Sequence, residues 1–191
     1  LKRLTVRDCS VLARLGGLKE LVLSHTTVDA AVCLGAATTI ERLSLRKTRL
    51  KGLDQLQSLT ALRELVMPVE VTDLSPLAGI KSLASLDLSG TKATDLSPLA
   101  GLEALVRLNL SQASGVTDAA PLKRLVALEE LDLTATGITT LTWARRLVNL
   151  KVLTLTDTAV KTLRPLTALA SLVSLDLAAT PVKRLPSFKR L

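Results

Sequence analysis

Apolar residues spaced two apart recur along the chain as pairs: Leu21/Leu23, Leu43/Leu45, Leu65/Met67, Leu86/Leu88, Leu108/Leu110, Leu131/Leu133, Leu153/Leu155 and Leu175/Leu177. Successive steps are 22, 22, 21, 22, 23, 22 and 22 residues, and Leu4/Val6 stands ahead of them as a variant pair after a short step of 17. The octapeptide TDLSPLAG, at residues 72–79 and again at 94–101, keeps the same beat. A period of this length over nearly the whole chain marks a stacked repeat, in which one unit cannot bury its apolar face alone and neighbouring units share a continuous core. That constraint outranks any single motif.

In the unit that starts at Leu83, the apolar positions are Leu83, Leu86, Leu88, Ala93, Leu96, Leu99 and Leu102, with Thr91 ninth. The spacing of two at Leu86/Leu88 places both side chains on one face of a strand, where a helix would turn them about 200° apart. The following Asp-Leu-Ser-Pro-Leu reads as a return turn, with Ser97 as a cap and Pro98 starting a short 3₁₀ segment. Aliphatic side chains must fill the core almost alone, because Trp143 and Phe188 are the only aromatic residues.

The stretch LASLDLSGTKATDLSPLAGL resembles a leucine-rich repeat of the 22-residue class, similar to internalins and to the phosphatase-regulatory type. The resemblance implies an α/β solenoid, a right-handed horseshoe with a parallel sheet on its concave face and short 3₁₀ or irregular segments on its convex face. It also implies that the ninth residue of each unit hydrogen-bonds to backbone along a ladder. Here Thr26, Thr48, Thr91, Thr136, Thr158 and Thr180 hold that position, where the family more often has Asn. The whole chain, 1–191, is expected to be one such domain of about nine repeats, a stretch of a longer protein without complete end caps.

Two units break the beat. Met67 to Val71 (MPVEV) is one residue short and Leu110 to Val116 (LSQASGV) one residue long. Surface loops tolerate such changes; alternatively the two irregular loops flank the fifth repeat and shape a contact surface.

Catalytic chemistry finds little footing. His25 is the only histidine, and Ser75 and Ser97 recur at a turn position, which a capping role explains. There is no glycine-rich phosphate loop and no metal-ligand cluster, so no enzyme activity, cofactor, metal or small-molecule substrate is expected. Asn109-Leu110-Ser111 matches a glycosylation sequon, yet Asn109 falls mid-strand. Cys9 and Cys33 are too few for a disulfide framework and suit reduced thiols in an intracellular, cytoplasmic setting. No apolar run reaches the length of a membrane helix.

Charge is more informative. The chain carries 25 basic and 17 acidic residues. Positions 2, 3, 5, 7 and 8 of each unit face the concave surface or its edge and hold ten of each sign, which leaves the whole excess of +8 elsewhere. Along the concave face, units one to four carry Lys2, Arg3, Arg7, Lys19, Arg42, Arg46, Lys47 and Arg63 against Asp8, Glu20, Glu41 and Glu64. Units five to nine carry Arg107 and Lys151 against Asp87, Glu129, Glu130, Asp132, Asp157 and Asp176. The function expected from these residues is protein–protein interaction by a monomer. Its candidate contacts are Arg42, Arg46, Lys47, Arg63, Val66, Asp87, Asn109, Glu130, Asp132, Thr154 and Asp176. The alternative is electrostatic binding of nucleic acid or acidic membrane by a basic convex flank, Lys123/Arg124, Arg145/Arg146 and Lys189/Arg190, interrupted by Thr167/Ala168. Trp143 takes the place of the Pro of other units, at the surface or beside Ala144.

Overall fold

The computed structural model describes residues 5–6, 16–24, 27–29, 34, 38–51 and 53–187. Eleven short strands run through it in chain order: β1 (Thr5–Val6), β2 (Glu20–Val22), β3 (Thr27–Asp29), β4 (Arg42–Ser44), β5 (Arg49–Lys51) and β6 (Glu64–Val66), then β7 (Ser85–Asp87), β8 (Arg107–Asn109), β9 (Glu130–Asp132), β10 (Val152–Thr154) and β11 (Ser174–Asp176). Eight of them form one parallel sheet in the order β11-β10-β9-β8-β7-β6-β4-β2. Each middle leucine pairs with the next, from Leu21↔Leu43 through Leu153↔Leu175. The pairing continues past each strand end, where Leu23, Leu45, Met67, Leu88, Leu110, Leu133 and Leu155 each donate an N–H to the next coil at 2.8–2.9 Å. A parallel sheet in an open stack of 22-residue coils is the leucine-rich repeat solenoid.

The Leu4/Val6 pair is not a ninth strand of that sheet. Thr5 and Val6 pair with Thr27 and Val28, and β3 pairs in turn with β5, giving a separate three-stranded parallel sheet, β1-β3-β5. Val6 thus lies one regular period of 22 residues before Val28. The apparent short step arose because Val6 sits two residues after a leucine while occupying the descending side of a coil. Leu4, with Lys2, Arg3, Arg7 and Asp8, lies outside the described residues.

Opposite the large sheet the chain returns through 3₁₀ helices at Leu53–Ser58, Ser75–Leu77, Ser97–Gly101, Ala120–Arg124, Thr142–Arg146 and Arg164–Ala168. Serine does not cap them. Ser75 and Ser97 are the first helical residues, and their N–H groups donate to the carboxylates of Asp73 and Asp95 at 2.8 Å, as that of Ala120 does to Asp118. A carboxylate two residues upstream satisfies an orphan N–H more strongly than a hydroxyl does. The backbone N–H and hydroxyl of Ser75 hold Asp73 below the ordinary carboxylate value, and the hydroxyl and N–H of Ser97 do the same for Asp95. Their stabilising contribution is therefore complete above the usual carboxylate range and lost as pH falls through the lowered values.

Leucines from successive described coils interlock between the two sides, and Leu34, Leu56, Leu99, Leu122 and Leu166 have no solvent exposure. Burying such a side chain contributes roughly 1.5–3 kcal/mol. The threonine ladder is only half realised. Thr48 donates to the carbonyl of Leu23 and Thr91 to that of Val71 at 2.9 Å, both in the preceding coil. Thr136, Thr158 and Thr180 instead donate to the carbonyls of Leu133, Leu155 and Leu177 in their own coil, each at 2.7 Å. A hydroxyl has one proton to give and takes the nearest carbonyl, whereas an Asn amide has two donors and an acceptor. Thr26 lies outside the described residues.

Each irregular loop meets a glycine in the coil that follows. Gly90, at φ 68°, lies against Val69 of the short loop, and a Cβ there would stand 3.3 Å from Val69 Cγ1. At Gly137 a Cβ would stand 2.7 Å from Thr117 Cγ2 and 3.1 Å from the Ser114 carbonyl of the long loop. Backbone cannot yield as a flexible side chain can, so Gly137→Ala is expected to cost about 1–3 kcal/mol. Urea unfolding of the variant against the parent measures it.

Candidate functional site

The eight strands leave one broad open face, the inner side of the large sheet. The row that ends the strands reads Val22, Ser44, Val66, Asp87, Asn109, Asp132, Thr154 and Asp176, in hydrogen-bonded register. Beside it runs Glu20, Arg42, Glu64, Ser85, Arg107, Glu130, Val152 and Ser174. The structure thus brings Arg42, Val66, Asp87, Asn109, Glu130, Asp132, Thr154 and Asp176 onto one surface. Arg63 stands immediately before β6, and Arg46 and Lys47 form the turn after β4.

The equivalent turn is built the same way in four of the eight coils, and sequence reasoning missed its construction. Asp87 Oδ1 accepts the N–H of Ser89, Asn109 Oδ1 that of Ser111, Asp132 Oδ1 that of Thr134 and Asp176 Oδ1 that of Ala178, all at 2.8–2.9 Å. These are Asx turns. The next residue then takes a left-handed conformation, at φ 54–61° for Gln112, Ala135 and Ala179. Gln112 and Ala135 use it to donate an N–H to the following coil at 2.7 and 2.8 Å, as Gly90 does. The row is therefore part of the scaffold: one side-chain oxygen of each of these residues is held by backbone, and the second oxygen of Asp87 is taken by Arg46. The signal in the sequence was an Asp or Asn at the end of a strand followed by Leu and a small residue, Ser, Thr or Ala.

Many inner charges also answer one another across neighbouring strands. Arg42 donates to Glu20 at 2.9 Å, Lys19 reaches Glu41 at 2.7 Å and Lys151 reaches Glu129 at 2.8 Å. The Lys19 ammonium, hydrogen-bonded to it, holds the Glu41 carboxyl below its ordinary value, and the Glu20 hydrogen bond raises Arg42 above its own. Arg46 crosses the coil of β6 to pair with Asp87 Oδ2 at 2.7 Å. Such exposed pairs add little stability; their effect is to cancel charge. Among the described inner residues, the coils of β2, β4 and β6 hold five cations against three carboxylates, and those of β7–β11 two against six. Glu130, Asp132, Asp157 and Asp176 at one end, and Lys47 and Arg63 toward the other, make no ion pair among the described residues.

On the opposite side, Lys123/Arg124 and Arg145/Arg146 are exposed in the last turns of successive 3₁₀ helices. Lys189 and Arg190 lie outside the described residues, as do His25, Cys9, Cys33 and Phe188. Trp143 is buried, at 7% exposure, and its Nε1–H donates to the Thr140 carbonyl at 2.9 Å. It is a core filler and not a surface contact. Among the described residues no group of His, Cys, Asp and Glu is arranged to hold a metal, and no helix is long and apolar enough to cross a membrane.

No protein-family profile matches the sequence, and a search of curated proteins returns no match. Solved structures do match. An internalin from Listeria monocytogenes (inlF) superposes with a TM-score of 0.83 at 24% identity, over 91% of this chain and 52% of that one. An internalin C2 from the same species gives a TM-score of 0.83 at 28% identity, over 91% and 77%. The leucine-rich repeat ectodomain of a plant membrane receptor kinase from Arabidopsis thaliana, solved in complex with Casparian strip integrity factor 2, gives 0.68 at 19% identity, over 90% and 22%. The chain spans about half the length of the first of these. Repeat length, strand register and these likenesses together show a leucine-rich repeat solenoid of 22-residue coils, similar in structure to the two internalins.

Proposed function

We propose that the chain is a non-catalytic protein-interaction module, monomeric and without cofactor, that receives an elongated partner along the inner face of its large sheet. One observation carries the reading: unpaired carboxylates gather over β9–β11 while the unpaired cations lie by β4 and β6, on a single surface whose side chains are fixed in register. Opposite potentials at the two ends orient an incoming partner, with a basic segment over β9–β11 and an acidic one near Lys47 and Arg63. The plant ectodomain that shares the fold was solved with a bound factor, which favours binding over chemistry for such a scaffold. The intracellular, cytoplasmic setting drawn from Cys9 and Cys33 belongs to the same reading.

The Asx turns decide how to test it. Asp132→Lys would remove both the charge and the acceptor of the Thr134 N–H, so Asp132→Asn with Glu130→Gln is the cleaner pair, since Asn keeps the acceptor. With a partner isolated by affinity capture, both this pair and Lys47→Gln with Arg63→Gln are expected to slow association severalfold and to flatten its salt dependence, because exposed charges are screened beyond about 8 Å at physiological ionic strength. Unchanged association rates in both pairs, with binding abolished by Arg145→Glu and Arg146→Glu, would move the site off the inner face.

A further inference from the structure

The basic excess of the chain is concentrated in one place on the outside of the solenoid. The outer segments of the last four coils, residues 114–127, 137–149, 159–171 and 181–187, hold eight Lys and Arg against a single carboxylate, Asp118. The outer segments of the three coils before them, 49–61, 70–82 and 92–104, hold four cations against five carboxylates. All eight cations are exposed, and only Arg124 has a carboxylate within 4 Å among the described residues, Glu103 at 3.9 Å. The gap at Thr167/Ala168 does not interrupt this band. Arg164 opens the helix Arg164–Ala168 at the position held by Thr142 and Ala120 in the two coils before it, and Lys161 stands just ahead of it.

Apolar side chains are exposed within the same band. Val126 and Val148 follow the two basic pairs at the same distance in sequence and are 47% and 50% exposed. Between the last two outer segments opens a cleft of about 610 Å³, lined by Lys161, Arg164, Lys183 and Arg184 together with apolar Leu163 and Pro186.

We infer that this outer face of the last four coils docks on an anionic lipid bilayer. Cations spread over the breadth of four coils match a charged plane, while an extended acidic peptide would meet only one row of them. The exposed valines have no partner on a phosphate backbone but are accommodated at the boundary between headgroups and acyl chains. Single-stranded nucleic acid binders add aromatic platforms for the bases, and the one aromatic side chain among the described residues, Trp143, is buried. The cleft offers a headgroup phosphate four cations over an apolar floor. This surface faces away from the inner sheet, so the protein can sit on a membrane with its inner face open to a partner.

Co-sedimentation with vesicles of one part phosphatidylserine to two of phosphatidylcholine tests the inference, against vesicles of phosphatidylcholine alone. The parent chain is expected to bind the first and not the second. Each cation near such a surface is worth about fivefold in partition, so Arg145→Gln with Arg146→Gln is expected to weaken binding about thirtyfold. Lys183→Gln with Arg184→Gln should do the same, and Val126→Ser with Val148→Ser should remove the part of binding that survives high salt. Circular dichroism confirms that each exposed-site variant is folded. Glu130→Gln with Asp132→Asn is expected to leave vesicle binding unchanged, which separates this surface from the inner one. Failure of the folded parent to bind the anionic vesicles at low ionic strength overturns the inference. So does binding that ignores the cation variants, or tighter binding to random-sequence RNA that the valine variants do not affect.

Discussion

Leu131→Asp should unfold the middle of the solenoid. Leu131 is the central residue of β9, 1% exposed, and stands in register between Leu108 of β8 and Leu153 of β10. The substitution removes a fully buried aliphatic side chain and leaves a carboxyl without a partner between two layers of leucine. Together these place the cost at about 4–5 kcal/mol or more. Because each coil touches only its neighbours, the damage is expected to spread through interfaces and not through a common core, splitting one unfolding transition into two as the coils on either side lose their coupling. Circular dichroism during urea titration measures both effects. Thr139→Asp, at an exposed position one coil side away, is expected to stay within about 0.5 kcal/mol of the parent. Equal losses in the two variants would mean that the strand register is wrong.

Trp143→Ala is the second large effect, expected at about 3–5 kcal/mol. Trp143 fills the place that Pro76, Pro98, Pro121 and Pro165 take in other coils. Its ring is buried within the helix Thr142–Arg146, and its Nε1–H is satisfied by Thr140. Trp143→Phe keeps most of the volume and loses the hydrogen bond, so it should cost only about 1 kcal/mol. Denaturant unfolding of the two variants distinguishes packing from hydrogen bonding. If both fell by the same small amount, the indole would be dispensable to the core. As the only tryptophan in the chain, it also reports unfolding of its own coil in the parent, with emission that shifts to the red as water reaches the ring.

The last coils are polarised across their thickness. The inner side of β7–β11 has six carboxylates against two cations, and the outer segments of the last four coils have eight cations against one carboxylate. In a solenoid the two sides of a coil are separated by a layer of leucine, so opposite charges on them do not pair and each side remains available to a different partner.

The sequence by itself determined the coil. A period of two inside a period of 22 is enough to place the strands of the large sheet, the 3₁₀ return segments and the buried leucines, because burial in a stacked repeat depends only on position within the unit. It also determined which side of the coil the charged residues on and beside β4 and β6–β11 belong to. Neighbours in the stack decided the rest. Whether Thr5 and Val6 joined the inner sheet or a second one depended on which residues 22 positions away they paired with. Whether Thr91 reached the preceding coil and Thr136 its own depended on which carbonyl lay nearest a single hydroxyl proton. The Asp and Asn side chains at the strand ends looked like free contact residues, but backbone amides two residues on had already claimed one oxygen of each. Lys19, Arg42, Arg46 and Lys151 pair with carboxylates brought alongside by the stacking, which leaves Glu130, Asp132, Asp157 and Asp176 as the inner carboxylates without an ion pair among the described residues. A repeat fixes what every coil shares, while a hydrogen bond or an ion pair depends on two particular side chains meeting, and only the assembled stack determines which ones do.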